Sequence, residues 1–195
     1  CGGKHILYNA MMAVLEKGDE AILPVPHWVS FEEMIKLADA KVVFCNTGKN
    51  FRLTAEKVEE KITDKTKMLV LNSPSNPSGA IVEPNEIKKI AKLAVDNNFY
   101  IVSDEVYEFF TYNGKQHLSI ASLNDEIKNL AITVNSVSKT YAMTGWRIGY
   151  CGANKEIIKA MDNLQGHSTS NPSNIAQMAA IEALNGPQDS VKQMV

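Results

Sequence analysis

Apolar positions along the chain switch repeatedly between a helical and a strand-like period, and that switching predicts the architecture. Over residues 4–17, Ile6, Leu7, Ala10, Met11, Val14 and Leu15 recur every three or four positions until Gly18, which predicts a helix with one buried face. Residues 21–25 then read as a short apolar strand, 28–38 as a helix, 41–45 as a strand and 54–62 as a polar surface helix. Residues 67–72 form another apolar run, followed by a loop rich in Ser, Asn, Pro and Gly. A helix is expected at 85–96, where Ile87, Ile90, Ala91 and Ala94 share a face, and strands at 99–103, 131–135 and 147–152. Two helices should close the chain. The last is expected to be capped by Asn171, to carry Pro172 in its first turn and to stop at Gly186-Pro187.

Strands that are apolar almost throughout, joined by helices, imply a mostly parallel sheet covered on both faces. The expected fold is therefore α/β, a three-layer α/β/α sandwich. In such sheets ligands bind beyond the carboxyl ends of the strands. Asn72, Asn76, Asp104, and Ser136 with Lys139 all follow strand ends, so they should meet on one rim. With no internal repeat or linker-like segment, residues 1–195 read as one domain.

Bulk properties narrow the field. A formal net charge of −2 gives no electrostatic case for nucleic acid or an anionic membrane as partner. No apolar run approaches the roughly 18 residues that a membrane-spanning helix needs. Cys1, Cys45 and Cys151 are odd in number, and neither they nor His5, His27, His117 and His167 show metal-ligand spacing. A reduced protein in the cytoplasm, without a metal site, is expected. The opening Cys1-Gly-Gly without a methionine suggests a piece of a longer protein.

The chemistry concentrates between Ser136 and Gly149. Lys139 follows the apolar run 131–134, Ser136 and Ser138 flank it, and Arg147 lies eight residues on. A lysine at the mouth of a buried strand is a candidate Schiff-base former, because burial and neighbouring cations favour the uncharged amine that attacks carbonyls. Hydroxyls and a guanidinium suit a phosphate. An aldehyde that also carries a phosphate describes pyridoxal 5′-phosphate (PLP). Asp104, just past an apolar strand, can pair with a protonated ring nitrogen, while Tyr107 and Asn76 can hydrogen-bond the phenolic oxygen. Gly2-Gly3-Lys4 opens a helix whose free N–H groups suit phosphate, and Trp28 offers a flat face for stacking on the ring. Each residue alone also has a plainer reading: a solvated Lys, a salt-bridged Arg, a capping Asp, a core Trp or Tyr, a turn Asn.

Taken in order, Asn76-Pro-Ser-Gly79, Ser103-Asp-Glu-Val-Tyr107 and Ser136-x-x-Lys139 followed by Gly145-Trp-Arg147-Ile-Gly149 resemble the class I aminotransferases of the aspartate aminotransferase fold. The Gly-Gly-Lys opening is similar to a bacterial subgroup. The resemblance implies PLP as cofactor, Lys139 as Schiff-base lysine and proton shuttle, and Asp104 as partner of the ring nitrogen. It implies Asn76 and Tyr107 beside the phenolate, Trp28 on the ring, and Ser136, Arg147 and the backbone at Gly3 and Lys4 around the phosphate. Lys4 would also face the distal carboxylate of an acidic substrate. The activity implied is transamination between an amino acid (aspartate, or another dicarboxylic or aromatic one) and a 2-oxo acid, in a homodimer whose partner the 168–171 segment approaches. A PLP-dependent β-lyase, or a PLP-sensing domain of a transcription regulator, would present the same constellation. By that resemblance the chain is the PLP-binding large domain without its N-terminal arm or C-terminal small domain. It lacks the arginine that grips the substrate α-carboxylate, so little transamination is expected from it alone.

Overall fold

A computed structural model describes all 195 residues. Six strands form one sheet: β1 (Glu20–Val25), β2 (Lys41–Asn46), β3 (Thr66–Asn72), β4 (Tyr100–Asp104), β5 (Ala131–Ser136) and β6 (Gly149–Gly152). Their spatial order is β2-β1-β3-β4-β5-β6, every neighbouring pair being parallel except β5 with β6. Nine helices surround them: α1 (Gly3–Val14), α2 (Val29–Leu37), α3 (Ala55–Glu59), α4 (Pro84–Asn97), α5 (Asp125–Leu130), α6 (Val137–Thr140), α7 (Lys155–Gly166), α8 (Asn174–Asn185) and α9 (Asp189–Met194).

The two-residue period of a strand sends neighbouring side chains to opposite faces, and in the inner strands β1, β3, β4 and β5 both faces are largely buried. Met68, Val70 and Val102 pack into a cluster with Leu7, Met11, Phe31 and Met161 from α1, α2 and α7. Leu69, Leu71 and Ile101 pack into a second cluster with Val58, Ile90 and Ile127 from α3, α4 and α5. Two cores divided by one sheet make the expected three layers, and they explain why β3 reads as an unbroken apolar run.

Boundaries differ from expectation where local geometry outweighs period. α1 ends at Val14 rather than 17, because Leu15 turns to an extended conformation and is itself buried. α3 has five residues instead of nine. The last strand begins at Gly149, since Arg147 adopts a left-handed conformation (φ 55°) that closes a 3₁₀ turn over Thr144–Trp146. Asn171 does not cap the next helix: its amide donates to the Pro172 carbonyl, and α8 starts at Asn174 with Ser173 before it. α8 does stop at Gly186, but α9 follows, so three helices close the chain. No helix is long and apolar enough to cross a membrane.

Candidate cofactor site

Parallel pairing puts the carboxyl ends of β3, β4 and β5 on one edge, with Asn72 level with Asp104, and Asp104 level with Val134 two residues before Ser136. A cavity of roughly 240 Å³ opens there, and all nine residues singled out in the sequence line it: Gly3, Lys4, Trp28, Asn76, Asp104, Tyr107, Ser136, Lys139 and Arg147. They come from positions 3 to 147, so tertiary structure has gathered them from most of the chain.

Three glycines shape one end. Gly2 precedes α1 at φ 86°, with no side-chain cap after it and no acidic residue in the first turn. The leading N–H groups of α1, at Gly3 and Lys4, therefore lack intrahelical partners and carry the positive end of the helix dipole. A Cβ at Gly2 would lie 2.5 Å from Arg147 Nη2, and one at Gly149 only 2.6 Å from the Gly3 nitrogen. The absent side chains let the start of β6, the start of α1 and the Arg147 guanidinium touch. Arg147 Nη1 donates to the Thr144 carbonyl at 2.7 Å, which leaves other guanidinium donors unused. Ser136, buried at the end of β5, caps α6 by accepting from the Ser138 N–H at 3.2 Å, and its own proton remains free to donate. Cationic, N–H-rich and free of carboxylates, this end suits a phosphate.

Asp104 forms another part of the wall. It is buried, accepts one hydrogen bond from the Val106 N–H at 3.3 Å, and is in no ion pair. Burial pushes its carboxyl up to about 7; the nearby Glu105 charge adds to the rise, while the Val106 N–H and Lys139 oppose it. A buried carboxylate without a cation is costly, and a protonated ring nitrogen would supply the missing charge. Asn72 fastens this wall: its amide donates to the Asp104 carbonyl at 3.1 Å, and its oxygen accepts from the Asn76 N–H at 2.8 Å.

Lys139 lines the same cavity, its Nζ 5.8 Å from the centroid of the Tyr107 ring. The burial expected for it is not found. Lys139 is exposed, because α6 carries it one turn beyond the end of β5. Trp28 is half-buried and held edge-on by Phe31 at 5.3 Å, and the Lys4 ammonium sits 4.8 Å above its ring. Leu7, Val106 and Thr144 also line the cavity and were not foreseen. Leu7 belonged to a core period, and Thr144 to a stretch with no period at all. All three cysteines are free thiols.

The family model for "Aminotransferase class I and II" matches residues 1–195. The chain belongs to that family. PLP is the cofactor of class I aminotransferases. Over 195 residues the chain is 51% identical to an aspartate aminotransferase of Bacillus sp. strain YM-2, covering 99% of this chain and 50% of the relative. It is 51% identical to a probable aspartate/prephenate aminotransferase of Rickettsia typhi over 98% of this chain and 49% of that one. The Thermus thermophilus aspartate aminotransferase with maleate superposes with a TM-score of 0.92 at 42% identity, over 99% of this chain and 50% of that one. A Pyrococcus protein called protein-A1 gives 0.96 at 38%, again over 99% and 50%. The chain thus spans about half the length of these relatives.

Proposed function

We propose that residues 1–195 are the cofactor-binding large domain of a PLP-dependent aminotransferase, which moves an amino group between an amino acid and a 2-oxo acid. One observation carries the reading: an amine, an unpaired buried carboxylate and a cationic, N–H-rich cup line a single cavity. When bound, PLP supplies an aldehyde and a ring that withdraws electrons from the substrate α-carbon.

The residues divide the work. The N–H groups at Gly3 and Lys4, the Ser136 hydroxyl and Arg147 hold the phosphate and so fix the orientation of the group. Asp104 keeps a proton on the ring nitrogen, since an unpaired carboxylate in that position strongly favours a cation beside it. Tyr107 and Asn76 donate to the ring oxygen, and Trp28 covers a face. Lys139 would hold the group through its amine and, once an incoming amino acid has displaced that amine, would move a proton at the substrate α-carbon.

Aspartate as amino donor is supported by the names of the relatives and by Lys4, a cation in the cavity lining that no carboxylate pairs and that is able to meet a second carboxylate. The working enzyme is a cytoplasmic homodimer whose remaining half supplies the grip on the substrate α-carboxylate, so the isolated chain should hold PLP but transaminate poorly. The reading is tested by incubating the chain with PLP, reducing with borohydride and mapping peptides by mass. A pyridoxyl group should appear on Lys139 and be lost in Lys139→Ala. Labelling of another lysine with Lys139 left bare would refute the assignment.

A further inference from the structure

Behind the cofactor wall lies a second polar cluster that the proposed chemistry does not use. Glu105 follows Asp104 directly, so strand alternation turns its carboxylate to the other face of the sheet, where it too is buried. Its Oε1 accepts from the hydroxyls of Ser103 and Ser119, each at 2.8 Å. Its Oε2 lies 3.1 Å from His117 Nε2, close enough for an ion pair although off the hydrogen-bond axis, and the buried His117 Nδ1 has no partner. The backbone of Glu105 is pinned as well, its N–H donating to the Val134 carbonyl at 2.9 Å.

These contacts join the two ends of the 105–119 segment, which contains neither helix nor strand. Long irregular loops with joined ends behave as closed units packed by their own side chains. This one carries Tyr107, and Glu108 within it holds the Asn135 amide, whose oxygen accepts from the Ser136 N–H. The far-face cluster therefore adjoins Asp104 in sequence and closes the loop that carries Tyr107 and Glu108, the latter reaching the Ser136 backbone through Asn135, while none of its residues lines the cavity.

We propose that Glu105 and His117 form a buried clasp that closes the 105–119 loop and thereby positions Asp104 and Tyr107 in the cofactor site. The positioning role rests on the PLP reading above; closure of the loop does not. Loosening the clasp should free the loop and misplace the ring-nitrogen partner, lowering turnover more than substrate binding.

The test compares wild type with Glu105→Gln, which keeps the shape and the oxygen facing both serines but removes the charge facing His117. Ser119→Ala is a milder companion should the first variant fold poorly. Chymotrypsin cleavage after the exposed Phe109 and Tyr112 should quicken about tenfold in Glu105→Gln and about threefold in Ser119→Ala. In the full-length enzyme kcat should fall at least about fivefold while KM stays within about twofold. Unchanged cleavage in both variants overturns the clasp. Faster cleavage with unaltered kcat overturns its positioning role. Borohydride trapping on wild-type Lys139 reports the PLP reading separately: if it fails, that reading falls, and cleavage alone still decides whether the clasp closes the loop.

Discussion

Gly149→Ala should unsettle the phosphate end of the site through one methyl group. The new Cβ would lie 2.6 Å from the Gly3 nitrogen, 2.8 Å from the Gly2 carbonyl carbon and 3.0 Å from the Gly3 Cα. Non-bonded heavy atoms prefer about 3.5–4.0 Å, so β6 and the start of α1 must part by about 0.5–1 Å. All three atoms are backbone, and no rotamer change can relieve the contact. Overpacking of this kind costs about 1–3 kcal/mol, and each kcal/mol lowers Tm by about 2–4 °C for a domain of 150–250 residues. Gly149 is not among the glycines with positive φ, so the effect is steric rather than conformational. Gly152→Ala, in the same strand with nothing within 4 Å of its Cβ, is the control and should melt like wild type. Calorimetry supplies the melting temperatures. Titration with PLP and with pyridoxal, which lacks the phosphate, reads the site. Gly149→Ala should lose about tenfold in PLP affinity, because the Gly3 N–H is displaced, and much less for pyridoxal. If Gly149→Ala and Gly152→Ala melt alike and bind PLP alike, the close approach is not what shapes the cup.

Two further outcomes follow from the same site. Folding lifts the Asp104 pKa to about 7, above the ~3.9 of an unfolded chain, so between those values the folded state holds more protons and ligand-free stability falls as pH rises. Asp104→Asn removes that decline and should stabilise the ligand-free chain above pH ~7, on the order of 1–4 kcal/mol, while impairing turnover; melts from pH 4 to 8 with the same slope in both proteins would contradict it. Arg147→Ala should weaken PLP about 10–100-fold, as expected for a lost hydrogen bond to a charged group, and leave pyridoxal binding nearly unchanged. Equal losses for the two ligands would place Arg147 away from the phosphate.

Most of the site was legible in sequence because its residues follow strand ends. Asp104 and Ser136 end runs that are mostly apolar, and a parallel sheet leaves such residues nowhere to go but the shared rim. Short-range geometry was harder to see. The five-residue α3, the two-residue delay of β6 after Arg147 and the one-turn α6 that carries Lys139 into solvent depend on single dihedral angles and caps. The clasp was invisible for another reason: Glu105 and His117 are twelve residues apart with no period between them, so only the folded loop brings them together.

The alternation of apolar runs and helical faces by itself determined the layered α/β fold, and the order of the motifs determined the family. Those features follow from burial, which each residue announces by its own polarity. Tertiary structure alone decided which groups are short of a partner. Whether Asp104 lacks a cation, whether Gly149 has room for a methyl group and whether Lys139 meets water all depend on distances to atoms far away in the chain, and no residue carries that information locally.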